Sequence, residues 1–465
     1  MSWQRLSPRM LLIHPVHELL RQLPLLVGAI VLGSTTGNPL WTVAAVAATV
    51  ALGVARWFTT SYRIAPDEVQ LRAGVLQRKV LSVPRNRIRS VQTDARLLHR
   101  LLGLAVLRVS TGREAAGDNV FELDAVEVSQ VPRLRAILLA EAPQLDQPAP
   151  QGTVLARWQL SWLRYAPLSL SGLLTLAAAA GALYESGFGE FGLATAARFS
   201  APAIAAAVLV GSVVLAVLRS LVTYGDLVLL RRGDVLHLRH GLLRVREHTY
   251  DMSRLRGGTL RQPLLVRALR GARLDAVMTG VHGAGESSLL LPPCPAATAE
   301  AVLTGLLGDA SVVTGPLRGH GSRAAVRRWT RALGMPVLAG VVLAVTAVLV
   351  GVPGWVWPAW VALLAWCALL AADRVGALGH RVDRHWLVAR SGSLQRRRDC
   401  LSTAGIVGWT VRQTPLQRRA GVATLVAATA AGIKRYPLID VPASQAWSIA
   451  AAASPWVAES IWAIR

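Results

Sequence analysis

Cysteine, lysine and acidic residues are all scarce in this sequence, and each scarcity narrows what the chain can be. Cysteine occurs three times in 465 residues, at Cys294, Cys367 and Cys400, with no CxxC spacing. That excludes a disulfide framework and a zinc site. Lysine is confined to Lys79 and Lys434, so the formal charge of +24, from 50 basic against 26 acidic side chains, is carried almost wholly by arginine. Charged side chains and histidine are missing altogether from 22–55, 165–184, 199–218 and 332–372, runs of 34, 20, 20 and 41 residues. Core helices of soluble proteins keep a polar face, so such runs exclude an ordinary soluble core.

Catalytic constellations are also missing. His14 and His17 sit at helical i, i+3 spacing without further ligands, and His380, Asp383 and His385 belong to a mixed polar segment that reads as a solvated linker. The glycine-rich "GVHGAGESS" (280–288) lacks the Lys-Ser or Lys-Thr of a phosphate loop. No charged side chain or histidine interrupts the apolar runs, which disfavours ion-coupled transport. The N-terminus has positive charge but no short apolar core followed by a small-residue cleavage site, so no removable signal peptide is read. Neither a cofactor nor a metal is expected, and the chain is not expected to be an enzyme.

What is present is segregated. At ~20 residues per crossing, the uncharged runs make six apolar helices in three hairpins, broken at 34–40, 185–198 and 351–358. These distal turns hold one basic residue, Arg198, so 49 of the 50 basic side chains lie on the other side. The positive-inside rule makes that side cytoplasmic, with both termini there and the protein in the plasma membrane. Each hairpin follows a tryptophan and arginine leader: "WQRLSP" (3–8), "WQLSWLRYAP" (158–167) and "WTRALGMP" (329–336). Trp3, Trp158, Trp162, Arg164, Trp329 and Arg331 are therefore expected as interfacial anchors.

A threefold repeat runs through the polar regions. "RAGVLQRKV" (72–80), "RHGLLRVRE" (239–247) and "RSGSLQRRR" (390–398) each place a glycine before a short apolar, then basic, segment. A second glycine follows, so that Gly74 to Gly103, Gly241 to Gly271 and Gly392 to Gly421 are separated by 29, 30 and 29 residues. Period-two alternation marks these regions as strands. "VPRLRAILLAEA" (131–142) and "PASQAWSIAAAA" (442–453) read as closing helices.

Tyr62-Arg63-Ile64, Gly74-Val75-Leu76, "VPRNRIRSV" (83–91) and "LLHRLLGL" (97–104) resemble the bacterial pleckstrin-homology-like membrane proteins of the YdbT-like type. The resemblance implies paired transmembrane helices alternating with small domains of pleckstrin-homology fold. The expected class is thus a multi-pass α-helical membrane protein with three small β-rich cytoplasmic domains, each a PH-like barrel plus a C-terminal helix. The expected division is an interfacial segment 1–21, hairpin 22–56, domain 60–145, hairpin with leader 158–219, domain 223–310, hairpin with leader 325–374, domain 380–455 and tail 456–465.

Arg78, Lys79, Arg85, Arg87 and Arg89 are the candidate contacts to anionic lipid headgroups, the last three on one face if the stretch is a strand. A solvated barrel face is the competing reading. No aromatic platform is interleaved with these cations, which disfavours nucleic acid. The expected function is binding and assembly at the inner leaflet, with lipids and a protein partner in the same membrane, self-association being open. The resemblance suggests a role in envelope maintenance or stress. The alternative is a lipid-handling membrane enzyme or scramblase.

Overall fold

The computed structural model describes residues 3–5, 7–10, scattered positions between 40 and 60, and then 61–65, 67–73, 79–85, 88, 90–95, 97–110, 121–139, 152–168, 201–279 and 288–459. The first repeat runs through β1 (Gln4–Arg5), β2 (Ser61–Ile64), β3 (Glu68–Ala73), β4 (Lys79–Pro84), β5 (Ser90–Ala95), α1 (Leu97–Leu101), β6 (Leu104–Ser110), β7 (Phe121–Glu127) and α2 (Val131–Leu139). Strand β8 (Thr153–Arg157) and helix α3 (Ala201–Tyr224) lead into the second. That repeat holds β9 (Val228–Arg232), β10 (Val235–His240), β11 (Val245–Asp251), β12 (Leu255–Pro263), α4 (Leu264–Ala268), β13 (Gly271–Met278), β14 (Leu289–Pro295) and α5 (Ala296–Leu307). After α6 (Ala310–Thr314) come two long helices, α7 (Gly321–Leu349) and α8 (Val356–Ala377). The third repeat is β15 (Gly379–Val382), β16 (Trp386–Ser391), β17 (Gln395–Ser402), β18 (Ile406–Arg412), α9 (Pro415–Arg419), β19 (Val422–Thr429), β20 (Arg435–Pro442) and α10 (Ala446–Ala453).

Each repeat thus contains a three-strand meander, a second three-strand meander and a closing helix. The strands arise from alternation: β19 buries every second residue from Ala423 to Thr429, as a half-buried strand must. The closing helices turn apolar faces inward. Val131, Leu134 and Leu138 of α2 and Ala446, Ile449, Ala450 and Ala453 of α10 are buried.

The sheets do not respect the repeats. Their strand orders are β1-β2-β3-β4, then β7-β6-β5-β11-β10-β9-β8, then β14-β13-β12-β17-β16-β15, then β18-β19-β20. The second meander of one repeat therefore continues, edge to edge, into the first meander of the next. The joining ladders are antiparallel, from Val91 opposite Thr249 to Ala95 opposite Val245, and from Gly257 opposite Leu401 to Pro263 opposite Gln395.

The chain forms two compact units, 1–158 with 221–253, and 159–220 with 254–465, so that repeat 2 contributes its first meander to one and its second to the other. The first unit is built around Val69, Leu71, Val91, Leu104, Leu107, Phe121, Leu123 and Leu138. Asp94 on β5 and Arg244, just before β11, lock its joined sheet through bonds of 2.7 and 2.9 Å from the guanidinium Nε to both carboxylate oxygens. Burial pulls the Asp94 carboxyl upward, but the Arg244 bond and the charges of Arg244, Arg108 and Arg246 outweigh it, leaving its pKa below the ordinary value.

The second unit packs Leu387, Leu401, Leu425, Tyr436, Leu438 and Val441 with α10. Its joined sheet carries a buried polar bond, Thr259 Oγ1 donating to Asp399 Oδ1 at 2.8 Å, and Arg397 holds the same carboxylate with two bonds of 2.8 Å. Gly257 marks the closest approach of the two strands. A Cβ there would stand 1.9 Å from the Cys400 carbonyl oxygen, and its φ of +144° is one that side-chain-bearing residues rarely adopt.

The expectation of a multi-pass α-helical membrane protein is corrected by this architecture. The described chain is β-rich, with four sheets, and α7 and α8 are the two described helices long and apolar enough to cross a membrane. The uncharged runs dominated the sequence signal because a helix concentrates its apolar residues in one segment, whereas the twenty short strands among the described residues dilute theirs. The first hairpin, at 22–56, and the part of the second at 169–200 lie largely or wholly outside the described residues. The expected separate barrels are corrected as well, since two of the four sheets span repeat boundaries.

Candidate functional site

The arginine stretch of the first repeat is not one strand. Pro84 ends β4, Arg85 lies in a tight turn, and β5 begins at Ser90. Arg85 Nη2 donates to the backbone oxygen of Ile137 in α2, so its guanidinium secures the closing helix. Lys79 opens β4, while Arg78, Arg87 and Arg89 lie outside the described residues. The leader residues also separate. Trp3 lies under the Arg72 guanidinium, 4.4 Å from ring centroid to Cζ, and Trp158 is half-buried. Trp162, 3% exposed, belongs to the interior rather than a headgroup layer. Arg164 is exposed and stacks on Tyr165 at 4.8 Å. Trp329 is half-buried and Arg331 exposed, both on the third turn of α7.

Around Arg331 the structure assembles a site. Arg323, Arg327 and Arg331 stand four residues apart and share one face of α7. Facing them, α9 begins with a capping box: the Thr414 hydroxyl accepts from Gln417 N at 3.3 Å, and Thr414 N donates to Gln417 Oε1 at 3.0 Å. The cap places Arg418 and Arg419 in the last turn of α9. The cleft between them has a volume of about 810 Å³, with Val326 and Leu416 as apolar lining.

Buried Asp440 fixes the frame. Its carboxylate takes Arg327 Nε at 3.1 Å and Arg328 Nη2 at 2.8 Å, and Gln417 Nε2 donates to it at 2.8 Å. Arg323, Arg331, Arg418 and Arg419 have no carboxylate partner among the described residues. Arginine presents a planar fork of donors suited to phosphate and carboxylate groups. The cleft can therefore hold an anion whose remainder is apolar.

The cleft sits where α7 changes character. Arg331 is the last charge before the uncharged run 332–372, and the apolar stretches of α7 and α8 within that run are largely exposed. They pack on each other through Trp360, which donates to the Pro336 carbonyl at 2.9 Å and lies over Gly340, where a Cβ would be 2.4 Å from the indole. At its base α8 is pinned by Asp373, which pairs with Arg267 at 2.8 Å and Arg396 at 2.5 Å.

A family described as the bacterial PH domain matches residues 19–142 and 332–453, more than half of the chain. The chain belongs to the bacterial PH domain family. The matched segments contain the first and third repeats, and the β-strand order shows that the second repeat follows the same plan. No curated protein matches, and no solved structure matches. As a bacterial PH domain protein the chain is a PH-like binding module.

Within that family frame, Arg323, Arg327, Arg418 and Arg419 escaped the sequence reading. Their signal was present as an i, i+4, i+8 row of arginines ahead of an apolar run. The pairing of that row with "LQRRAG" (416–421) depends on tertiary contact and has no local trace. Among the described residues, no three His, Cys, Asp or Glu side chains gather as a metal site. His380, expected in a linker, is instead in β15, buried against His320 at 5.1 Å.

Proposed function

We propose that this bacterial PH domain protein acts by binding rather than catalysis. In this reading α7 and α8 insert into the cytoplasmic membrane, and the arginine cleft at their foot holds the phosphate of an anionic lipid. The observation that carries it is the set of four arginines, without carboxylate partners among the described residues, lining one cleft directly ahead of a 41-residue uncharged run. Headgroup phosphates lie at that depth. The apolar lining from Val326 and Leu416 suits the start of an acyl chain.

The test is native mass spectrometry of the detergent-solubilised full chain, with phosphatidylglycerol or phosphatidylcholine added. Each cation near an anionic surface contributes ~1 kcal/mol, so Arg418→Gln with Arg419→Gln should weaken phosphatidylglycerol retention roughly thirtyfold. Phosphatidylcholine retention should hardly change. Equal retention of phosphatidylglycerol by the variant and the parent chain would sink the proposal.

A further inference from the structure

The strand topology leaves two complementary edges. At both internal joints, the third strand of a repeat's first meander, β11 or β17, pairs with the opening strand of the preceding repeat's second meander, β5 or β12. The same two positions at the ends of the array are β4 and β18, and each is the last strand of its sheet among the described residues. We infer that a second copy of this chain fills both vacancies, β18 of one molecule pairing antiparallel with β4 of the next. The inference rests on strand topology and is independent of the arginine cleft.

The register is fixed by equivalence. Pro84, Asp251 and Ser402 occupy one position, since each stands opposite the first residue of the strand before it, Glu68, Val235 and Trp386. Gly257 and Gly408 occupy another, since each follows a register shift in the ladder to β13 or β19. Transferring the Gly257 to Leu401 pairing gives Gly408 opposite Val83, Thr410 opposite Leu81, Val411 opposite Val80 and Arg412 opposite Lys79.

Three observations favour a strand as the occupant of these edges. Val80 and Val407 are 55% and 68% exposed, large apolar residues on unpaired edges that natural sheets ordinarily cover. Strand β18 repeats β12 closely, "IVGWTVRQ" against "LRGGTLRQ". Gly408 has no heavy atom nearer its would-be Cβ than Ala428 at 3.9 Å, whereas Gly257 is pressed against its neighbouring strand. The opposing effect is the like charge of Arg412 and Lys79. The second internal joint tolerates the same arrangement, with Arg261 opposite Arg397.

Facing residues in a ladder bring Cβ atoms within disulfide range. Full-length Val80→Cys and full-length Val411→Cys, each also carrying Cys367→Ala, are purified separately, mixed in detergent and mildly oxidised. The mixture should yield a disulfide-linked dimer on a non-reducing gel, with none from either variant alone. Val407→Cys mixed with Val80→Cys, displaced along the strand by roughly 13 Å, should not cross-link.

No dimer from the first mixture would overturn the inference. So would a dimer from either variant alone, which indicates two identical edges pairing, or a bond formed only within one chain carrying both cysteines. Mass photometry of the unmodified chain gives a second reading. Species of two or more copies are expected, and a monomer throughout the micromolar range would also overturn it.

Discussion

His248 takes two ring nitrogens into the interior without giving either a hydrogen-bond partner among the described residues. It lies in a stack with His240 and Tyr250, at centroid distances of 5.9 and 5.8 Å. Burial first, then the charges of His240 and Arg246, push its pKa down from 6.5 to about 3, with Asp94 opposing. The folded protein therefore holds this ring neutral while the unfolded chain protonates it. Stability is complete above pH 6.5 and falls as the pH drops from there toward 3. At 1.36 kcal/mol per pKa unit, about 2 kcal/mol should be lost between pH 7.5 and pH 5. Denaturant titrations of the detergent-solubilised chain at the two values measure it. His248→Phe keeps the aromatic stack and should remove that loss; an unchanged acid sensitivity would assign it elsewhere. Nothing in "VREHTYD" (245–251) announces this, because burial of a polar side chain in a strand depends on what covers it. Arg85 teaches the converse. Its neighbours suggested a cationic face, and its place in the turn just after Pro84 sends its guanidinium to an α2 carbonyl instead.

Among the elements, the repeat was legible, with its middle copy read one residue out of step. The glycine spacings of 29, 30 and 29 residues differ because the left-handed position after the short helix is Gly103, Arg270 and Gly421, with φ of 69°, 56° and 66°. Counted to that position, the middle repeat also spans 29 residues. Gly271 follows for another reason: a Cβ there would stand 2.5 Å from the Tyr165 ring. The closing helices α2 and α10 were readable from their apolar period. The ladders β5 to β11 and β12 to β17 were not, because alternation shows which face of a strand is buried but not which strand lies beside it. Gly257 is the element-scale test. Gly257→Ala drives a methyl group into the Cys400 carbonyl and should destabilise the second unit by roughly 2 kcal/mol or more. A thermal melt at matched detergent concentration checks this, and an unchanged midpoint would mean the joint can part at little cost.

For the whole molecule, sheets that cross repeat boundaries make sequence repeats and folding blocks different objects. Segment 60–145 was expected as a domain, and it holds both meanders of the first repeat, yet β5 in it would have lost β11. An open strand edge of this kind invites pairing with other chains. Residues 60–145 expressed alone should therefore self-associate through the bared β5 edge and give a polydisperse mixture in light scattering. A monodisperse fragment would show that β11 is dispensable to β5. The family and the β-rich repeats could be read from landmarks in order, whereas the class could not, since uncharged runs outweighed many short strands. The same connectivity sets a clock on biosynthesis. Val91 meets Thr249, 158 residues further on, so at ~5–20 residues per second the ribosome leaves the β5 edge waiting for about 8 to 30 seconds. During that interval the nascent chain has one sheet half-built, and a chaperone at the exit tunnel or a neighbouring polysome has its opportunity there.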